Sequence, residues 1–203
     1  MLFYDSPNPA PNPRRVRIFA AEKGIELQAK EVSIPQREQK APDYLAKNPR
    51  GQTPILELDD GTVIAESVAI MRYLEALHPD PPLFGSTPLE IAQIEMWCRR
   101  VEMILMPPVA AVWVHTHPFT AALPGRNAGW GEENRPRVAS ALDFFDQSLA
   151  DREYITGKTF TAADILLLTT VDFASFIGLE TTGGRTNLGQ WHSRVSARAS
   201  AAA

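Results

Sequence analysis

An α/β domain followed by an all-helical one is the fold class that this chain of 203 residues predicts, on three observations. Up to residue 78 the elements run β-α-β, then a connection, then β-β-α, the order of a four-stranded mixed sheet flanked by helices. Between His78 and Pro88, four prolines in eleven residues stop any helix or central strand. Beyond them no stretch alternates like a strand, while apolar residues recur at helical spacing. The expected boundaries are residues 1–78 for the α/β domain, 79–88 for a Pro-rich linker and 89–203 for the helical domain.

Each element has its own signal. Leu2-Phe3-Tyr4 reads as a short strand, and Arg14 to Lys23 as a helix with Val16, Ile18, Phe19 and Ala20 apolar and Gly24 at its stop. Ile25 to Ile34 reads as a second strand, with Leu27, Ala29 and Val32 loosely alternating, before the polar segment Pro35 to Lys40. Pro42 to Leu45 is a helical turn. Asp60-Gly61, between Ile55 to Leu58 and Thr62 to Ile64, is the strongest short-range hairpin signal, and Ser67 to Leu77 follows as a helix. In the second part, Leu89 to Met106 and Glu133 to Leu149 are amphipathic helices, and Pro107-Pro108 should kink or break the chain after the first of them. Thr161-Ala162-Ala163-Asp164 before Ile165 to Leu168 is a capping-box-like start of a helix apolar nearly all round, the expected centre of the bundle. The tail Ala197 to Ala203 reads as a frayed end.

Composition narrows the function. Hydrophobic content of 44% with 22% charge is that of an ordinary soluble globular chain, and a net charge of −4 gives no electrostatic case for nucleic acid or an anionic membrane. Arg14, Arg15 and Arg17 are the one tight basic cluster and read as a solvated helix face, with a ligand-phosphate role the alternative. No apolar run approaches the roughly 20 residues that span a bilayer, and Met1 to Asp5 lacks the charged lead and apolar core of a signal segment, so a cytoplasmic protein is expected. Cys98 is the sole cysteine, which excludes an internal disulfide and a Cys-x-x-Cys redox pair; in its helical context it reads as a buried thiol, with a reactive nucleophile the alternative.

The densest functional signal is Asn48 to Ser67. Gln52-Thr53-Pro54 enters a strand through a proline that removes a ladder donor, which suits a strand entry or a cis bond and leaves Thr53 with unpaired backbone groups. Glu66-Ser67 opens a helix with Ser67 as N-cap, and the free N–H groups of that first turn attract a carboxylate. Together these make a small anion-accepting pocket.

These features resemble the cytosolic glutathione transferases over nearly the whole chain. The resemblance is carried by Arg14 to Ile25, Asn48 to Pro54, Glu66-Ser67 and Phe160 to Ile165, in that order and spacing. It implies a thioredoxin-like first domain that binds glutathione and an all-α second domain with the electrophile pocket and dimer contacts. Glutathione is then a co-substrate, with no permanently bound cofactor, and the partners are a small, mostly apolar electrophile and a second copy in a homodimer. Thr53 and Pro54 would meet the cysteinyl backbone as an added strand. Glu66 would accept from the γ-glutamyl amine, and Ser67 with the helix start would take its carboxylate. Gln39 and Lys40 fall where related classes hold the glycine carboxylate, and Gln52 adds a contact.

The chain departs from the family's pattern at the thiol activator. Related classes use Tyr, Ser or Cys in the loop after the first strand; the serine-type position falls at Ala10, which cannot donate. The loop Asp5 to Pro13, stiffened by four prolines, offers Asn12 first and Ser6 second. Asn12 has an amide donor, a counterpart in some bacterial members of the family, and a place beside the helix start expected near Pro13 or Arg14. Either residue also suits a tight turn. In the helical part, Trp113, His115 and His117 are candidates for the electrophile site or for a water on the thiol, with structural or exposed histidines and a core or interface tryptophan the alternatives. With no third ligand apparent, a metal is not expected. Tyr4, Phe119 and Trp130 are further aromatic candidates, equally core or interface. Glutathione conjugation leads over two alternatives, a glutathione-dependent peroxidase or disulfide reductase, and a non-catalytic binding module on the same fold.

Overall fold

The computed structural model describes residues 1–203, which divide into two units, Met1–Leu83 with Ala199–Ala203, and Phe84–Arg198. In the first, strands β1 (Leu2–Asp5), β2 (Ala29–Glu31), β3 (Ile55–Glu57) and β4 (Val63–Ala65) form one sheet in the order β2-β1-β3-β4. The β1–β2 pair is parallel, joined by helix α1 (Pro11–Glu22), and the other two pairs are antiparallel. Helices α2 (Pro42–Lys47) and α3 (Ser67–Leu77) complete the unit. Because successive strand residues face opposite ways, Tyr4 joins Ile55, Val32 and Tyr44 in a small cluster, with its hydroxyl donating to Glu57 at 2.6 Å. Tyr4 is therefore a core residue.

The second strand and the tail differ from expectation. The second strand is only three residues long and fully exposed at the sheet edge. Its expected start is taken up by the end of α1: Gly24 adopts φ +64° and the Ile25 N–H donates to the Ala20 carbonyl at 2.9 Å, the wrap that stops a helix at glycine. The tail is not frayed. Ala199–Ala202 form a 3₁₀ turn with Ser200 and Ala201 buried; Arg14 Nη2 donates to the Ala201 carbonyl at 2.9 Å, and Ser200 donates to Glu22. The Pro-rich segment is tied down by Lys23, whose ammonium donates to the carbonyls of His78 (2.6 Å) and Pro81 (2.7 Å) and pairs with Glu75.

The second unit is helical: α4 (Pro88–Arg100), α5 (Met106–Thr116), α6 (Ala128–Ser148), α7 (Ala162–Phe176) and α8 (Thr186–Ser196). Between α4 and α5 a π-helical turn, Val101–Leu105, replaces the expected break. The helix runs on through it without a gap, with Pro107 and Pro108 as the second and third residues of α5. Helix α8 was not anticipated, although Leu188, Trp191 and Val195 mark a buried face at spacings of three and four. No helix is long and apolar enough to cross a membrane.

Helix α7 is buried nearly all round, and its start is the best-satisfied polar point of the unit. The Asp164 carboxylate, fully buried, accepts from the Ile155 N–H (2.9 Å), the Thr161 N–H (3.0 Å), the Thr161 hydroxyl (3.2 Å) and Trp191 Nε1 (2.9 Å). Burial outweighs these donors and pushes the carboxyl up from 3.8 to about 6. The folded state thus holds its proton to higher pH than the unfolded chain. The associated stability is complete below pH 3.8 and is lost as pH rises through about 6. Asp164→Asn presents an amide N–H₂ to these donors and should cost about 2–4 kcal/mol in urea unfolding followed by tryptophan fluorescence, from one or more unpaired buried donors. The same variant should lose the decline in stability between pH 4 and 6.

Candidate active site

Asn48 organises the loop before β3. Buried, it accepts the Arg50 N–H on Oδ1 (3.3 Å), takes the Gly51 N–H on its carbonyl (2.8 Å) and donates from Nδ2 to the Gln52 carbonyl (2.8 Å). Tyr44 Oη donates to the same carbonyl at 2.8 Å, and burial pushes that hydroxyl's pKa upward. In a trans peptide the N–H opposes the C=O, so drawing the Gln52 carbonyl toward Tyr44 and Asn48 turns the Thr53 N–H away from them. Thr53 precedes a cis Pro54 and lies outside the ladder, whose pairing begins at Ile55. The Gln52 side chain is exposed, with Oε1 accepting from Arg50 Nε at 3.1 Å.

Gly51, at φ +56°, presses this loop onto the 3₁₀ turn Glu38–Lys40: a Cβ there would stand 2.6 Å from the Gln39 carbonyl oxygen and 2.7 Å from Lys40 Nζ. Lys40 Nζ donates to the Arg50 carbonyl at 2.9 Å, leaving further N–H bonds to offer. Gln39 Oε1 is buried with no hydrogen-bond partner in the chain.

Helix α3 spans Ser67–Leu77, as expected, but is capped differently. Its N-cap is Glu66, not Ser67, and Glu66 is exposed, makes no side-chain cap bond and sits at φ +70°. A non-glycine residue held there costs about 1–3 kcal/mol. Ser67, buried as the first helical residue, has its Oγ 3.5 Å from Arg15 Nη1. Arg15 is itself 2% exposed, which overturns the solvated arginine face. Its signal was its spacing: three and four residues before Ile18 and Phe19, it shares their buried side.

The loop after β1 is braced by Arg17, which donates to Asp5 Oδ1 (2.5 Å), the Ser6 carbonyl (3.1 Å) and Asn8 Oδ1 (2.6 Å). Burial raises the Asp5 pKa against the opposing pull of that guanidinium. Ser6 is fully buried, with Oγ 3.0 Å from the Val32 carbonyl oxygen and 2.9 Å from Thr53 Oγ1. Helix α1 begins at Pro11 rather than near Pro13 or Arg14, so Asn12 is its second residue, half-buried. Pro11 and Pro13 carry no N–H, the Ala10 N–H goes to Pro7 and the Arg14 N–H to Ala10. Asn12 therefore supplies the remaining backbone donor of that turn, and its side-chain amide beside it. Three contacts bring these segments together: Ser6 to Thr53, Arg15 to Ser67 and Lys40 to Arg50.

In the helical unit Trp113 packs against His117 (centroids 4.4 Å apart), Phe119 (5.6 Å) and Phe173 (5.3 Å), with Phe119 and Phe176 largely exposed. His115 Nδ1 accepts the Asn127 N–H at 3.1 Å and His117 Nδ1 the Phe119 N–H at 3.2 Å, which puts the ring hydrogens on Nε2. No group of three His, Cys, Asp or Glu side chains stands in metal-binding array.

Comparison with known proteins matches residues 10–77 to the glutathione S-transferase N-terminal domain and residues 111–199 to the glutathione S-transferase C-terminal domain. Glutathione S-transferase 2 of Saccharomyces cerevisiae is 37% identical over 204 residues, covering 98% of this chain and 87% of its own. The crystal structure of Gtt2 from Saccharomyces cerevisiae superposes with a TM-score of 0.93 at 37% identity, over 98% of both chains. A glutathione transferase homologue from Sulfitobacter, solved with bound glutathione, shares the fold with a TM-score of 0.83 at 24% identity, over 99% of this chain and 94% of that one. The chain belongs to the glutathione S-transferase family, and glutathione transferase activity comes with that membership.

The left-handed Glu66 makes a test of its own. Glu66→Gly relieves the backbone strain at some cost in unfolded-chain entropy, and should raise unfolding stability by about 1 kcal/mol in urea titration. A loss of stability would mean that the Glu66 side chain holds the fold.

Proposed function

We propose that the chain conjugates glutathione to small, mostly apolar electrophiles, holding the tripeptide in the first unit and activating its sulfur at the first turn of α1. This reading is carried by three anion- or backbone-seeking features on segments that the Ser6–Thr53 and Arg15–Ser67 contacts join: Thr53 outside the ladder, the strained Glu66 at the start of α3, and Asn12 as the remaining donor of α1. The cysteinyl backbone pairs with Thr53 beside Pro54, and Gln52 flanks it. Glu66 accepts from the γ-glutamyl amine, while Ser67 and the α3 N–H groups, with buried Arg15 behind them, receive the carboxylate. Gln39 and Lys40 take the glycine carboxylate. The exposed aromatic cluster around Trp113, with the Nε2–H groups of His115 and His117, is the electrophile side. No permanently bound cofactor enters this scheme, and the setting is cytoplasmic.

The free thiol has a pKa near 8.5, and the thiolate is the nucleophile, so the site must stabilise the anion. Ser6 is poorly suited to that task because its hydroxyl is buried and engaged with Val32 and Thr53. Asn12 offers an amide N–H₂ and a backbone N–H at the positive end of a twelve-residue helix. A donor to a charged group contributes about 1.5–3 kcal/mol, equivalent to roughly 1–2 pKa units. Asn12→Ala should therefore move the acidic limb of the kcat/KM profile up by about one unit or more, with rates converging with wild type at high pH. An unmoved limb, in a conjugation assay run beside peroxide and disulfide substrates, would remove Asn12 from the mechanism.

A homodimer is part of the same proposal. Leu89, Met96 and Met103 recur every seven residues along α4 and the π turn and are 67%, 40% and 72% exposed, an apolar stripe suited to a second copy. Light scattering should give twice the chain mass, and Met96→Glu with Met103→Glu should return the monomer.

A further inference from the structure

Ser6 enters the glutathione site from behind, and we propose that it is a positioning residue that fixes Thr53, and through it the peptide edge that meets the cysteinyl backbone. The proposal rests on the glutathione site described above.

Ser6 is 0% exposed, and its Oγ lies 3.0 Å from the Val32 carbonyl oxygen and 2.9 Å from Thr53 Oγ1. A hydroxyl has one hydrogen, and a carbonyl can only accept. With the Ser6 hydrogen on Val32, the Thr53 hydroxyl supplies the hydrogen of the second bond. The result is a directed chain from Thr53 through Ser6 to Val32, with no hydrogen left on Ser6 for a thiolate.

The anchorage of this chain is rigid at its far end. Val32 is 3% exposed and its N–H donates to the Asp5 carbonyl at 2.7 Å, while the Ser6 carbonyl takes Arg17 Nη1 at 3.1 Å. Thr53 is β-branched, with few side-chain rotamers, so fixing Oγ1 fixes the orientation of its Cα and of the peptide bonds on either side. The Gln52 carbonyl is held from the opposite flank by Tyr44 and Asn48. Thr53 is thereby oriented from two sides, through its own hydroxyl and through the preceding carbonyl.

An effect on presentation, not on sulfur chemistry, appears as weaker uniform binding: KM rises while kcat holds. Ser6→Ala should raise the KM for glutathione about five- to ten-fold, the loss of one or two buried hydrogen bonds. The kcat at saturating glutathione and the pKa of the bound thiol should be unchanged. Thr53→Val, which keeps the shape and leaves Ser6 bonded to Val32, should raise KM by a similar factor. The double variant should add nothing further, because both substitutions break the same chain. Amide exchange of residues 51–53 in ligand-free protein should accelerate in both single variants.

An unchanged KM in both single variants, additive effects in the double, or a lowered kcat with a shifted thiol pKa overturns the positioning role; the last would return Ser6 to catalysis. Absence of glutathione binding to the wild-type protein in calorimetry would instead overturn the site reading, and this proposal with it. Should Ser6→Ala fail to fold, Thr53→Val alone decides between a raised and an unchanged KM.

Discussion

Residues 48–54 are firmly held yet kept out of their own sheet, as the proposed pairing of Thr53 with a second backbone requires. Burying a peptide group unpaired costs free energy, so an open edge persists only where its neighbours are firmly placed. Asn48 and Tyr44 fix the carbonyl of Gln52, Ser6 meets the hydroxyl of Thr53, and pairing with β1 and β4 begins only at Ile55. Gly51 lets the loop lie against Gln39 and Lys40, where any Cβ would collide. Each remaining part of the site is positioned relative to this edge.

The charges follow the same economy of placement. Arg14, Arg15 and Arg17 stand within four positions on α1, and the helical step of about 100° sends them in three directions. Arg14 reaches the carbonyl of Ala201, Arg15 lies against Ser67, and Arg17 braces Asp5, Ser6 and Asn8. A guanidinium at 2% exposure beside the first residue of α3 adds to the positive end of that helix, a field that would favour the γ-glutamyl carboxylate in the proposed complex. The strain at Glu66 belongs with this arrangement. An exposed residue with no cap bond gains nothing for the fold from φ +70°, and such geometry is typical of positions whose orientation serves a ligand.

Patterns with a single structural meaning were legible in the sequence. The Asp60-Gly61 hairpin, the capping box at Thr161 and Asp164 and the helix Ser67–Leu77 stand where local chemistry put them. The order of elements in each half followed from alternation and helical period. What was hidden depends on tertiary partners. The burial of Arg15 comes from the opposite wall supplied by α3, the end of the tail from a seat against α1, and the late start of β2 from a glycine wrap that consumed Ile25. The Val101–Leu105 π turn is a further case: two prolines predict a kink or break, and the helix instead continues through a wider turn into α5.

The absence of a donor at Ala10 is then less of a defect than it looks. Ala10 is the N-cap of α1, and its side chain faces a helix start that already lacks two amide hydrogens to Pro11 and Pro13. Removing those donors concentrates the unsatisfied positive end of the helix on Asn12, whose backbone N–H and side-chain amide arise from one residue and lie close together. A serine at position 10 would compete for that same N–H as a cap acceptor, since serine is among the preferred capping residues. Alanine there leaves the N–H open to an external anion. On the reading proposed above, binding rests on backbone and two helix starts, whereas activation falls to Asn12 in the first turn of α1.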